Sequence, residues 1–147
     1  MRISAKGEYA IKAMLDLSMR EAAGLVSIQE IASRQSIPQR YLEQVLLQLK
    51  RGGLLTSKRG ASGGYHLTKS PDDTTVGEVL RAVEGPTAPF ESTRGGRRSA
   101  SDHASDLAEL WEALSKAVSQ IIDRMTFGEL AARAAQRRAA AGAMYHI

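Results

Sequence analysis

Residues 27–53 read SIQEIASRQSIPQRYLEQVLLQLKRGG. Ser27 followed by Glu30 is a capping-box pattern, which predicts a short helix from Ile28 to about Arg34. Ser36-Ile37-Pro38 interrupts it. Pro38 suits a first helical position, where its missing N–H leaves no bond unmade. From there Tyr41, Leu42, Val45, Leu46 and Leu49 recur at threes and fours as one apolar face. Gly52-Gly53 stops that second helix. Two short helices with a tight connection form a helix-turn-helix.

Upstream, residues 4–23 carry Tyr9, Ile11, Met14, Leu15, Leu17 and Ala22 near helical spacing. Lys6, Glu8, Lys12, Asp16 and Arg20 fill the other side, Ser4 is a candidate cap, and Gly24 is a stop signal. Downstream, residues 54–57 and 65–68 are brief strand candidates around the Gly-rich, basic segment KRGASGG, residues 58–64. A helix-turn-helix followed by such a hairpin predicts a winged helix. The spacing Thr75…Glu78 opens a short helix that ends at Gly85-Pro86. Residues 86–104 are poor in large apolar groups and read as a loop.

Leu107, Leu110, Trp111, Leu114, Val118, Ile121, Ile122 and Met125 then form the longest apolar stripe in the chain. Following a polar loop and a domain with apolar faces of its own, this reads as a dimerisation helix. Packing over the winged helix is the alternative. Thr126…Glu129 opens a further short helix, and the chain ends in the tail GAMYHI. The predicted organisation is a winged helix-turn-helix over 1–84, a loop over 85–104, and a dimerisation helix, short helix and tail over 105–147. The fold class is mainly α, with a short β-hairpin wing.

Charge is uneven. Residues 1–70 carry 11 Lys/Arg against 5 Asp/Glu, whereas residues 71–147 carry 9 against 11. A basic N-terminal half favours a polyanion, because Lys and Arg release counterions condensed on phosphates. In a helix-turn-helix the first turns of the second helix face base edges in the major groove. Here those turns hold Ser36, Gln39, Arg40, Tyr41, Glu43 and Gln44. Arg40 matches guanine, Gln39 or Gln44 adenine, and Glu43 the cytosine amino group. At the wing, Lys58 and Arg59 flank a tip of Gly60, Ser62, Gly63 and Gly64. Its backbone N–H groups suit phosphates, and Arg59 suits a narrow minor groove.

Other functions fit poorly. With no cysteine there is no disulfide, no thiolate metal site and no Cys nucleophile. His66, His103 and His146 are too scattered for a metal site. KRGASGG lacks the spacing of a nucleotide-binding P-loop. Asp72-Asp73 after Pro71 reads as a turn rather than an acid/base pair. These features predict a protein that is not an enzyme. No apolar run reaches the roughly 20 residues of a membrane span, and the start lacks a signal-peptide core, which predicts a cytoplasmic protein. The rival to DNA binding is a protein-interaction module whose winged helix is scaffold.

The stretches MRISAKGEYAIKAMLDLS, SIPQRYLEQVLLQLKRGGLLTSKRGASGGYHL and VGEVLRAVEGP, with Leu110-Trp111, closely resemble the Rrf-two family of bacterial winged-helix regulators. The family includes iron–sulfur, nitric-oxide and cysteine-metabolism regulators. The resemblance implies a homodimer with a long crossed helix, bound to pseudo-palindromic operator DNA. The predicted seam residues are Leu110, Trp111, Leu114, Val118, Ile121 and Ile122. It implies that Tyr41, Glu43 and Gln44 face the major groove and that Arg59 enters the minor groove.

Cluster-binding relatives carry three cysteines in the loop before Leu-Trp. Here Ser92, Ser99 and Ser105, with Ser101 beside them, stand near those positions. An iron–sulfur cluster requires thiolates, so this sequence is expected to hold no cofactor. Either the chain is a cluster-free member, or serines replace cysteines by design. Cluster-free relatives also partner cysteine synthase, whose pocket accepts peptides ending in Ile. The C-terminal Ile147 makes that enzyme a candidate partner, with simple packing of Met144, Tyr145 and Ile147 on the dimer as the alternative.

Overall fold

The computed structural model describes residues 3–86 and 106–145. Helix α1 (Ala5–Met19) starts at Ser4, whose Oγ accepts from the Gly7 N–H at 3.1 Å. Its buried Ala10, Ala13, Met14 and Leu17 form the centre of the core. The helix stops earlier than expected; a 3-10 turn, Glu21–Ala23, and Gly24 at φ 80° reverse the chain.

Helix α2 (Ile28–Gln35) carries the full capping box: the Ser27 side chain accepts from the Glu30 N–H, and the Glu30 carboxylate accepts from the Ser27 N–H. Ser36 follows in the left-handed region at φ 53°, and this drops Ile37 into the core. Pro38 is the N-cap of α3 (Gln39–Arg51), one place before the expected position. Leu42, Val45, Leu46 and Leu49 are buried as one stripe. Tyr41 does not join them. It lies to one side of the stripe and is 58% exposed, so it belongs to the outer surface.

Gly53 at φ 78° turns the chain into strand β1 (Leu55–Lys58). It pairs antiparallel with β2 (Gly64–Leu67), Leu55 opposite Leu67 and Lys58 opposite Gly64. Both strands sit one residue from their predicted spans. Val26 adds a rung beside Tyr65, with N–O distances of 2.9 and 2.8 Å, and so ties the approach to α2 to the wing.

Helix α4 (Val76–Glu84) is capped by Thr75, whose hydroxyl accepts from the Glu78 N–H. The return half of that box is missing, because the Glu78 carboxylate pairs with Lys69 instead. Helix α5 (Ala108–Arg124) contains no buried residue. Helix α6 (Phe127–Tyr145) begins with the fully buried Phe127 and packs against α1. The expected short helix runs on into the tail as one 19-residue helix ending at Tyr145, since its alanine-rich run is helix-forming enough to carry through Gly142. Phe127 also draws the winged-helix core past residue 105, the expected start of the separate C-terminal unit.

The largest departure is Asp16. Placed by pattern on the wet side of α1, it is fully buried. Arg34 of α2 grips it with two hydrogen bonds, Nε to Oδ1 and Nη2 to Oδ2, each 3.0 Å. Arg20 adds a contact at 3.3 Å and Gln35 one at 3.2 Å. The hydrogen bond to Asp16 holds the Arg34 guanidinium above its ordinary pKa, against desolvation. Removing one partner of a buried pair costs about 3–5 kcal/mol. Arg34 and Arg20 are 30% and 27% exposed, so water recovers part of that. Asp16→Ala is therefore expected to lower stability by about 2 kcal/mol, read as a drop in urea midpoint with unchanged m-value.

Candidate nucleic-acid interface

The first turns of α3 present Gln39, Arg40, Tyr41, Glu43 and Gln44, all exposed on the side away from the buried stripe. In the wing Lys58, Arg59, Gly60 and Ser62 are exposed and Gly63 is half-buried. Between α3 and the wing lies a groove of about 530 Å³, whose walls include Gln29, Glu43, Leu47, Lys50, Lys58 and Arg59. Thus the structure brings Glu43 of the predicted helix set to one groove with Lys58, Arg59, Gly60 and Gly63 of the wing, while Gln39, Arg40, Tyr41 and Gln44 are exposed on α3 but do not line it. It adds Gln29, Leu47 and Lys50, which were not singled out. Leu47 and Lys50 stand four and seven places after Glu43, so helical spacing was the signal for both. Gln29 had no such signal, because only the fold turns α2 toward the wing.

The charges on this surface are available. Among the described residues no carboxylate lies within ion-pair distance of Arg40, Lys50, Lys58 or Arg59. The glycines act differently from the expectation. Gly60 sits at φ 114°, a conformation that favours glycine. The Gly63 N–H donates to the Gly60 carbonyl at 3.0 Å, so it closes the turn and is not free for a phosphate. A Cβ on Gly64 would come within 2.5 Å of the Val26 carbonyl oxygen and push the third rung apart. The wing glycines build its shape, and Lys58 and Arg59 supply its charge.

The predicted seam residues divide into two groups. Leu110, Trp111, Leu114 and Ile121 are 40–59% exposed, and Val118 is half-buried. Ile122 packs instead on the chain's own core, together with Met125. The helix is held mainly at its C-terminal end. Arg81 of α4 grips Asp123 with two hydrogen bonds, 2.5 and 3.1 Å. That contact raises the Arg81 pKa. The Val76 N–H donates to the Met125 carbonyl and the Phe127 N–H to that of Thr74.

Ser92, Ser99, Ser101 and Ser105 lie outside the described residues, as does most of the predicted loop. The donor chemistry of the chain still decides the fit of a cluster. There is no cysteine anywhere in the sequence, and no group of three His, Asp or Glu gathers among the described residues. An iron–sulfur cluster held by thiolates does not fit this chain. Asp72 and Asp73 are exposed in a 3-10 turn, as read. Met144 belongs to α6, and Ile147 lies outside the described residues. No described helix is long and apolar enough to cross a membrane.

Comparison with known proteins bears on the whole chain. A family model, Rrf2, described as iron-dependent transcriptional regulator, matches residues 3–133. The HTH-type transcriptional regulator CymR of Bacillus subtilis is 36% identical over 131 residues, 89% of this chain and 90% of CymR. The HTH-type transcriptional regulator IscR of Escherichia coli is 38% identical over 130 residues, 88% and 80% of the two chains. The solved structure of B. subtilis CymR, described as a global cysteine regulator, superposes with a TM-score of 0.76 at 34% identity, covering 90% of this chain and 98% of that one. IscR of T. potens superposes with a TM-score of 0.72 at 33% identity, covering 91% and 88%. The chain belongs to the Rrf2 family of winged helix-turn-helix, DNA-binding transcriptional regulators.

Proposed function

We propose that this regulator binds pseudo-palindromic duplex DNA as a homodimer, α3 in the major groove and Arg59 in the flanking minor groove. The observation that carries the reading is the shared groove. Glu43 and Lys50 of α3 and Lys58 and Arg59 of the wing face one space, and among the described residues no carboxylate lies within ion-pair distance of Lys50, Lys58 or Arg59. Gln39, Arg40, Tyr41, Glu43 and Gln44 supply base contacts. Lys58, at the base of the Gly60–Gly63 turn, supplies the backbone grip. The scaffold-only reading has no comparable observation behind it.

The dimer reading rests on α5. Burying the exposed parts of Leu110, Trp111, Leu114 and Ile121 on both copies yields gross hydrophobic stabilisation of about 8 kcal/mol. That is enough to offset much of the cost of association. Two linked heads then match two half-sites. The similarity to CymR and IscR supports a role in controlling cysteine or iron–sulfur genes, in a chain that senses without a thiolate-held cluster. Cysteine synthase stays a candidate partner on the sequence resemblance alone.

Binding of duplex should weaken steeply with salt and depend on sequence; a duplex-blind protein at low salt refutes the reading. Glu43→Ala should relax base preference more than it weakens binding, because a base-edge acceptor acts by rejecting wrong bases. Lys58→Ala should weaken all duplexes alike and lower the salt slope by about one. Equal behaviour of the two variants contradicts this division of roles. Leu114→Asp places a charge in the seam. Sedimentation should show monomer, with operator affinity falling by roughly 100-fold or more as the linkage between half-sites is lost. A dimeric variant places the seam elsewhere.

A further inference from the structure

Leu47 is a leucine on the wrong face. It is 46% exposed, and it belongs neither to the buried core nor to the apolar residues packed against it. At about 100° per residue it falls nearly opposite the centre of the stripe formed by Leu42, Val45, Leu46 and Leu49. It therefore stands on the midline of the surface that α3 offers to a ligand. Its neighbours there are polar: Arg40, Glu43, Gln44 and Lys50. It lines the groove beside the wing, which half-buried Ile28 of α2 also lines.

Nothing in the chain's own folding asks for leucine at this place. Lys, Gln, Glu and Arg form helix about as well and would suit water better. An apolar side chain gains only where an apolar partner meets it. In the major groove the four unmodified bases offer one such group, the C5-methyl of thymine. We infer that Leu47 reads a thymine methyl in each half-site. It thereby adds a methyl-specific element to the hydrogen-bonding readout by its neighbours. The inference rests on the reading that α3 enters the major groove, and it names a base class that the polar residues do not select.

The test uses the full chain. A randomised duplex pool is first selected for binding. In the best duplex each thymine is then replaced singly by deoxyuridine, which removes the methyl and leaves the hydrogen-bonding edge intact. One thymine per half-site should be sensitive, with affinity falling about threefold for one replacement and about tenfold for both. Leu47→Ala should bind the thymine and deoxyuridine duplexes equally, with an unchanged melting temperature, since the side chain is outside the core. Reselection with Leu47→Gln should lose thymine at the same position.

Uniform tolerance of deoxyuridine by the unaltered protein overturns the inference. So does sensitivity that persists in Leu47→Ala, because another group then reads the methyl. A pool that yields no duplex at all overturns the DNA interface together with Leu47. A selected duplex whose preference relaxes in Glu43→Ala but ignores deoxyuridine overturns Leu47 alone.

Discussion

Asp16 is the tie on which the reading head depends. Helix α2 buries only Ile31 fully, with Ile28 and Ala32 half-buried beside it. Eight residues with so little apolar contact hold a fixed angle poorly, since helices this short draw their stability from packing. The buried carboxylate supplies what the apolar face lacks. It takes both arms of Arg34 and the amide of Gln35 from α2, while Arg20 closes over it from α1. Ile31 and Asp16 together lock α2 on α1, and Ser36 and Pro38 then set where α3 begins. A bidentate guanidinium fixes orientation as well as distance, which a point charge does not.

The same logic recurs at the other end. Arg81 and Asp123 join α4 to α5 by two parallel hydrogen bonds, over a glycine whose added Cβ would strike the Asp123 carboxylate. Gly77 is thus needed for close approach rather than for an unusual backbone angle. Beyond that clasp the apolar stripe of α5 is left exposed among the described residues. The geometry separates two roles along one helix. Its C-terminal end, through Ile122, Asp123 and Met125, belongs to its own domain. Its middle and N-terminal part leaves Leu110, Trp111 and Leu114 exposed, the face proposed to meet a second copy. In the proposed dimer the clasp, by setting the angle of α5, would also set how far apart two α3 helices stand.

The sequence made the helices legible through local signals. Ser4, Ser27, Thr75 and Thr126 each accept from a backbone N–H at the predicted helix start. Gly24 and Gly53 take positive φ where stops were expected. Of the interface, α3 and the wing were readable because recognition residues follow a fixed order around a turn. Long-range facts were not readable. Asp16 looked solvated because Arg34 and Gln35, which bury it, lie 18 and 19 residues away on another helix. Tyr41 looked apolar because residue type was counted before phase. The wing glycines looked like phosphate binders, whereas Gly63 and Gly64 are required by the Lys58 and Val26 carbonyls, which an added Cβ would strike. The length of α6 was missed because alanine carries no amphipathic pattern, only propensity.

The proposed assembly is two reading heads joined by one apolar seam, each head offering a helix and a charged wing to DNA. A hydroxyl-radical footprint of the full chain on its selected duplex examines that claim most directly. Two protected patches related by a dyad, with centres about one helical turn (~34 Å) or a multiple of it apart, are the predicted result. Protection in the outer minor grooves should disappear with Arg59→Ala while the patches facing α3 remain. A single patch without a dyad, or a pattern that Arg59→Ala leaves unchanged, contradicts the account.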